Sequence, residues 1–420
     1  MRVLFATEYY HPFTPGGTPW SLALLARELA RRGHTVAVVT PAYGAPGREE
    51  VDGIAVLRFA YWRRLAPGPS LAPARDHVNP LFHLLFARAV ARAARETGAD
   101  ILHAQEKHAL VGTYLAARWL GRRVFLSLRD FGLICPITTC LLSGDRIPAD
   151  CGSVKLQRDC APMFLDHYVG GGRLRRLRVR ASLALLYLDA RLKQALIRRV
   201  DGVIGVSQSI LDIYAAAGRI PAGHAHAVHN LPPAAPAGPA ADRATFGLPE
   251  GPLALYVGKL SLGKGFPVFV AAAREVAASQ PQACFAAVGA GAGAHDAGPV
   301  RLLGSRPHAD VEALYALADV VVQPAMWPEP FSRVPLEAAA AGRPVVATRV
   351  GGNAEAVEDE VTGLLVEPND PRALARAIAR LLADPARARA LGRNAARRVP
   401  ERFGGDRVVD ALLAAYGPPA

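Results

Sequence analysis

Three sets of residues in this 420-residue chain have the types and spacing to hold a phosphorylated ligand. The first is PAMWPEPFSRVPLE, Pro324 to Glu337, which follows the apolar run Asp319-Val-Val-Val-Gln323 and enters Leu336–Gly342, a good helix former closed by glycine. Pro328 and Pro330 stiffen the loop around Glu329 and keep it out of helix. A strand, a loop and a helix start aim backbone amides at an anion, because the first helical N–H groups lack internal partners. The candidates are the amides of Phe331, Ser332, Arg333 and Val334. Glu329 and Glu337 stand eight residues apart, which expects one carboxylate in the loop and the other in the first helical turn. On spacing alone, a solvated loop acid and a helix-start acid favoured by the dipole is the better reading of the two.

The second set is Gly258-Lys-Leu-Ser-Leu-Gly-Lys264-Gly265 after the apolar run Leu253–Val257. Lys259 and Lys264 suit a diphosphate as point charges in a glycine-containing strand-to-helix loop, with Gly258 at its entry. Arginine is the default cation of this chain; of its five lysines, the second half has only these two. The third set is in the first half. Gly16 and Gly17 precede a helical pattern, where paired glycines let backbone approach a ligand closely or simply make a turn. Arg129 and Asp130 follow Val124–Leu128; the arginine can grip a phosphate or a sugar hydroxyl, or form a surface pair with Asp130.

The elements that must carry these residues alternate. Arg2–Thr7, His34–Thr40, Ile54–Phe59, Ile101–His103, Val124–Leu128 and Val200–Ser207 read as strands, with helices over Trp20–Arg32, Asn79–Thr97 and Leu110–Trp119 between them. Leu253–Val257, Cys284–Val288, Asp319–Gln323, Val345–Thr348 and Gly363–Val366 repeat the pattern in the second half. Such alternation predicts α/β architecture, a doubly wound parallel sheet with ligands at the carboxyl ends of its strands. The length suggests two domains, read as 1–230 and 241–405, with a Pro/Ala/Gly linker at Pro232–Ala240 and a last helix within 406–420. Gly289-Ala-Gly-Ala-Gly293 lacks the full dinucleotide fingerprint and reads as a loop near a nucleotide base.

The net charge of +13 is uneven: residues 1–230 hold 30 Lys and Arg against 17 Asp and Glu, and the rest hold 19 of each. From Arg173 to Arg199 there are nine basic residues and one acid, interleaved with Leu, Val and Tyr after Gly170-Gly-Gly172. That pattern suits an anionic membrane surface, or a solvated helix packed on its domain. No apolar run is long enough to span a membrane and no cleavage-type leader is visible, so the expectation is a cytoplasmic protein, peripheral on the inner membrane face if the basic stretch docks there. Cys135, Cys140, Cys151 and Cys160 do not have zinc-ribbon spacing; incidental thiols are the expectation, and a four-thiolate metal site the alternative.

The run from Trp327 to Asp370, with its two glutamates eight apart, resembles the signature region of glycosyltransferase family 4, retaining enzymes of the GT-B fold. Gly258-Lys259-Leu260 with Lys264-Gly265 resembles that family's Gly-Arg-Leu…Lys-Gly motif, with lysine for arginine at 259, and Gly16-Gly17 stands where the family's glycine pair lines the donor diphosphate. Arg129-Asp130 departs from the family's His-Asp, because arginine cannot shuttle a proton. The resemblance implies two Rossmann-like domains facing across a cleft, with the last helix, 406–420, crossing back to the first, and sugar transfer from a nucleotide-diphosphate sugar to a saccharide or lipid-linked acceptor in surface polysaccharide or glycolipid synthesis. It also implies no cofactor and no catalytic metal. Lys259, Lys264 and the amides of 331–334 would hold the diphosphate, Glu337 the ribose, Glu329 the donor sugar, and the first domain the acceptor; a Cys-bearing insertion after Val124–Leu128 would lie over the acceptor site. An oxidoreductase would need a complete G-x-G-x-x-G, a nucleic-acid binder a reading module, and a non-catalytic sugar-nucleotide sensor would lack Glu329.

Overall fold

The computed structural model describes residues 1–138, 151–169, 171–221, 223–235, 242–291 and 297–418. The chain forms two compact units. One gathers Met1–Thr138, Leu177–Leu231 and Gly405–Ala420; the other gathers Thr139–Arg176 and Pro232–Gly404. The first unit is therefore discontinuous, where the sequence reading ran it unbroken from 1 to 230, and the described residues of 139–176 count with the second. Gly170 and residues 236–240 of the expected linker lie outside the described residues.

In the first unit, strands β1 (Arg2–Ala6), β2 (Thr35–Pro41), β3 (Arg48–Val51), β4 (Ile54–Phe59), β5 (Ile101–Ala104), β6 (Arg123–Leu128), β7 (Gly202–Gly205) and β8 (Ala225–Ala227) make one sheet. Their order is β3-β4-β2-β1-β5-β6-β7-β8, parallel except where β3 hairpins antiparallel onto β4. The central strands read as unbroken apolar runs because helices cover both faces. On one face Phe5, Val38 and Phe125 pack with Leu22 and Leu29 of the helix Gly17–Arg31, and with Val409, Leu412 and Tyr416 of the last helix, Gly405–Tyr416. Chain order reverses between β1 and β5, the place where parallel α/β sheets open a crevice for ligands.

The second unit repeats the arrangement with β9 (Leu253–Val257), β10 (Cys284–Val288), β11 (Val300–Gly304), β12 (Val320–Gln323), β13 (Val345–Thr348) and β14 (Gly363–Val366). All six are parallel in the order β11-β10-β9-β12-β13-β14, so the reversal falls between β9 and β12. Successive residues of β9 serve opposite faces: Ala254 and Tyr256 pack with Phe266 and Phe269, while Leu253 and Leu255 pack with Leu314 and Tyr315.

Local chemistry sets the helix ends. Asn79 Oδ1 accepts from Leu81 N at 2.9 Å, Pro80 opens the helix Pro80–Thr97, and Gly98 closes it at φ 65°. Two helices begin three residues before their apolar periodicity does. Lys107–Leu120 starts directly after β5 and takes His108 into its first turn. Arg333–Ala340 starts at the Ser332 cap, so Glu337 lies in the second helical turn, not the first.

Inside the first unit, buried His103 bonds through Nδ1 to Tyr416 Oη at 2.6 Å and through Nε2 to Ser127 Oγ at 2.9 Å, tying the last helix to β5 and β6. Tyr416→Phe leaves a buried ring nitrogen without a partner and should cost about 1–3 kcal/mol, read as a lower urea midpoint. Burial holds His103 down to about 3 from the ordinary 6.5. The unfolded chain thus takes up a proton that the folded unit refuses, so this stability is intact above pH 6.5 and falls as pH drops toward 3. Urea titrations on either side of pH 6.5 should show the decline beginning there.

Candidate functional site

The chemistry foreseen in the second unit gathers at its switch point. The loop after β9 brings Lys264 and the loop after β12 brings Glu329, and Lys264 Nζ donates to both carboxylate oxygens at 2.8 Å. Glu329 is 6% exposed; a carboxylate so buried needs this partner. Lys264 also lies over the Trp327 ring, 5.4 Å from its centroid. Lys259, by contrast, is exposed, and its carbonyl accepts from Tyr256 Oη at 2.6 Å.

Glycines let these loops close on each other. Gly265 has φ 73°, and a Cβ there would stand 1.7 Å from the Pro324 carbonyl oxygen. Gly351 has φ 49°, and its Cβ would stand 2.3 Å from the Glu329 carbonyl oxygen, which accepts from Gly352 N at 2.7 Å. The glycines after β13 are thus the backing of Glu329. Gly289 and Gly291, read from sequence as a loop near the base, pack their backbone against Gly258 and Leu260; Gly293 lies outside the described residues.

Glu337 comes to the same side but is engaged by its own chain. Arg333 Nη2 lies 2.8 Å from its Oε1, and Tyr315 Oη donates to its Oε2 at 2.9 Å. Of the four amides expected to face an anion, that of Val334 is taken by the capping Ser332 Oγ at 3.3 Å. That hydroxyl in turn accepts from Gln323 Nε2 at 3.0 Å, so Ser332 serves the helix cap before any ligand.

In the first unit Gly16, Arg129 and Asp130, three of the four residues picked from sequence, line a cavity of about 390 Å³ at the β1/β5 switch point; Gly17 opens the helix Gly17–Arg31 instead. Arg129 Nη2 donates to Gln105 Oε1 at 2.7 Å and Nη1 to Asn230 Oδ1 at 3.1 Å. Asp130 Oδ1 accepts from Gly132 N at 2.7 Å. Gly16 caps the helix Gly17–Arg31 with φ −170°, which any residue adopts, and a Cβ there would meet nothing within 4 Å. Its own chain makes no demand for glycine at 16.

The same cavity holds a group that the sequence reading missed: Glu8, His77, Glu106 and His108. Glu106 accepts from Thr7 Oγ1 at 3.0 Å and Glu8 N at 2.5 Å, while desolvation pushes its carboxyl up to about 8. Burial, then the charges of His77 and Lys107, holds the His108 ring well below its usual range. Glu8 and Glu106–His108 closely follow adjacent strands, a signal that could have found them; His77 sits in the short 3-10 helix Ala74–Val78 and gave none. Of the four cysteines, Cys135, Cys151 and Cys160 are partly exposed, and Cys140 lies outside the described residues.

A family model for Glycosyltransferase Family 4 matches residues 15–231, and one for Glycosyl transferases group 1 matches residues 240–398. The chain belongs to glycosyltransferase family 4 and has the α/β, two-domain GT-B fold. It is similar to sucrose-phosphate synthase from Thermosynechococcus elongatus, with a TM-score of 0.69 at 23% identity over 99% of this chain and 98% of that one. It is similar also to Anabaena HepE in complex with UDP-glucose, with a TM-score of 0.64 at 22% identity over 98% and 99%. Among curated proteins, a D-inositol 3-phosphate glycosyltransferase of Salinispora arenicola (strain CNS-205) is 42% identical over 118 residues, 28% of this chain and 26% of that relative. The chain thus spans about a quarter of that relative's length in the match.

Gly351→Ala tests the backing of Glu329. It forces a side chain into positive φ against backbone, and should destabilise the protein by more than about 1 kcal/mol in chemical denaturation.

Proposed function

We propose that this protein is a retaining glycosyltransferase that moves a sugar from a nucleotide-diphosphate donor to a lipid-linked or saccharide acceptor. The observation that carries the reading is the Lys264–Glu329 pair at the second unit's switch point. As the sugar C1–O bond breaks, negative charge grows on the diphosphate; Lys264, Lys259 and the amides of Phe331 and Arg333 meet it, and Glu329 turns to sugar hydroxyls. The acceptor oxygen bonds to C1 on the face the leaving group vacates, and its proton passes to a diphosphate oxygen. Glu337, held by Arg333 and Tyr315, offers a positioned acceptor for the ribose hydroxyls. The first unit's cavity, with Arg129 and Asp130 in its wall and Gly16 at its rim, takes the acceptor.

A lipid-linked acceptor is favoured over a free saccharide by the helix Arg173–Ile197. Leu174, Leu177, Leu185, Leu188 and Leu192 are each more than half exposed, and their spacing keeps them on one face of the helix. Arg173, Arg175, Arg176, Arg178 and Arg180 accompany the start of that stripe, and Arg191 its end. Leucines with cations beside them suit a helix lying in an anionic membrane surface. No helix among the described residues is long and apolar enough to cross a membrane.

Two measurements test these readings. Lys264→Ala should lower kcat/KM for the donor about tenfold or more, some 1.4 kcal/mol of transition-state stabilisation. Unchanged kcat/KM in a variant that still melts cooperatively removes the assignment. Wild type should co-sediment with anionic liposomes at low salt and release at high salt, and Leu185→Ser/Leu188→Ser should stay in the supernatant. Indifference of wild type to anionic liposomes would leave the free saccharide as acceptor.

A further inference from the structure

The donor chemistry makes no use of the cluster at the end of β1. We infer that Glu8, His77 and His108 form a binding site for one divalent cation of borderline hardness, of the zinc, cobalt or nickel kind. Three separate elements deliver the ligands: the residues after β1, the turn Ala74–Val78, and the first turn of Lys107–Leu120. Their ligand atoms all lie within 4.8 Å of one another. Glu8 Oε1 contacts His77 Nε2 at hydrogen-bond range, and Glu8 Oε2 lies 3.9 Å from His108 Nε2. The two imidazole rings lie against each other, centroids 3.9 Å apart, with both turned to one carboxylate.

A hydrogen bond accounts for His77 alone; at 3.9 Å, His108 is beyond it. A cation bonded to all three atoms at about 2.1 Å would hold them roughly 3–3.5 Å apart, a closing of less than about 2 Å from where they stand. Two imidazoles and one carboxylate suit zinc, cobalt or nickel better than magnesium, calcium or manganese, which take oxygen. The surroundings fix the ligands as outer-shell groups do. Lys193 Nζ donates to the His77 carbonyl at 3.2 Å, with its own charge met by Asp189 at 2.7 Å. Thr40 Oγ1 donates to the Glu8 carbonyl at 3.0 Å, and Tyr43 Oη to Glu8 Oε1 at 3.4 Å. All three ligands line the 390 Å³ cavity, so the remaining coordination positions face space where water, hydroxyls or a phosphate of a bound molecule can enter.

This site is independent of the donor reading, since Lys259, Lys264 and Glu329 take no part and metal binding is measured with no sugar nucleotide present. Full-length protein is stripped with chelator and dialysed against Co²⁺, and metal per chain and the absorption spectrum are recorded. The expected result is one Co²⁺ per chain with visible d–d bands and no thiolate charge-transfer bands. Glu8→Gln and His108→Ala should each bind about tenfold or more weakly, with Zn²⁺ competing in wild type. Absence of stoichiometric Co²⁺ in wild type overturns the proposal, as does a folded His108→Ala that binds like wild type. Thiolate bands also overturn it, because they place the ion on the cysteines. The wild-type measurement decides alone, whether or not a variant folds.

Discussion

A carboxylate 6% exposed to water has to be neutralised from within the protein, and much of the second unit's layout follows from meeting that demand at Glu329. Lys264 can reach it only because the β9 loop lies directly on the β12 loop, and that approach exists only because residue 265 has no side chain. Gly351 and Gly352 hold the other side of the same backbone. Removing the lysine would leave a buried carboxylate unpaired, whereas the pair as a whole stabilises little. Its value is positional: a lysine and a glutamate are kept at contact distance between two loops, beside a helix start.

Both units obey the same topological rule with different residues. In each sheet the strand order reverses once, between β1 and β5 and between β9 and β12, and in each the chemistry-bearing side chains follow those strands. The second unit fills its switch point with lysine, glutamate and helix-start amides. The first fills its own with histidines, carboxylates and Arg129, a set with no single dominant charge. A shared architecture thus presents two chemically distinct crevices, one built on a lysine–glutamate pair and the other on histidines, carboxylates and an arginine.

Most strands and several helices were legible because buried parallel strands are unbroken apolar runs and Asn-Pro or glycine marks helix ends. Glu329, Lys264 and Glu337 were legible through their motifs, although the first turn assigned to Glu337 was not, since the Ser332 cap draws the helix start back to Arg333. The hairpin strand β3 escaped notice: Arg48-Glu-Glu-Val carries no apolar run, and only pairing with β4 makes it a strand. His77 was invisible for a related reason, as no periodicity predicts which loop residue meets a distant carboxylate. The exposure of the leucines on Arg173–Ile197 was equally hidden, because an apolar helical stripe looks the same in sequence whether it is covered or bare.

The last helix adds a constraint on how the molecule is made. Val409, Leu412 and Tyr416 fill the same core as Phe5 and Leu22, so residues at opposite ends of the chain complete one interior. On the ribosome the strands β1 to β8 emerge early, yet their shared core stays open until the whole second unit has been synthesised. The first unit's sheet is therefore made before the second unit but completed after it, with apolar surface waiting for a cover that arrives later. Chaperone engagement during synthesis should concentrate on this half, and a chain that stops short of residue 405 carries the complete sheet with its interior unsealed.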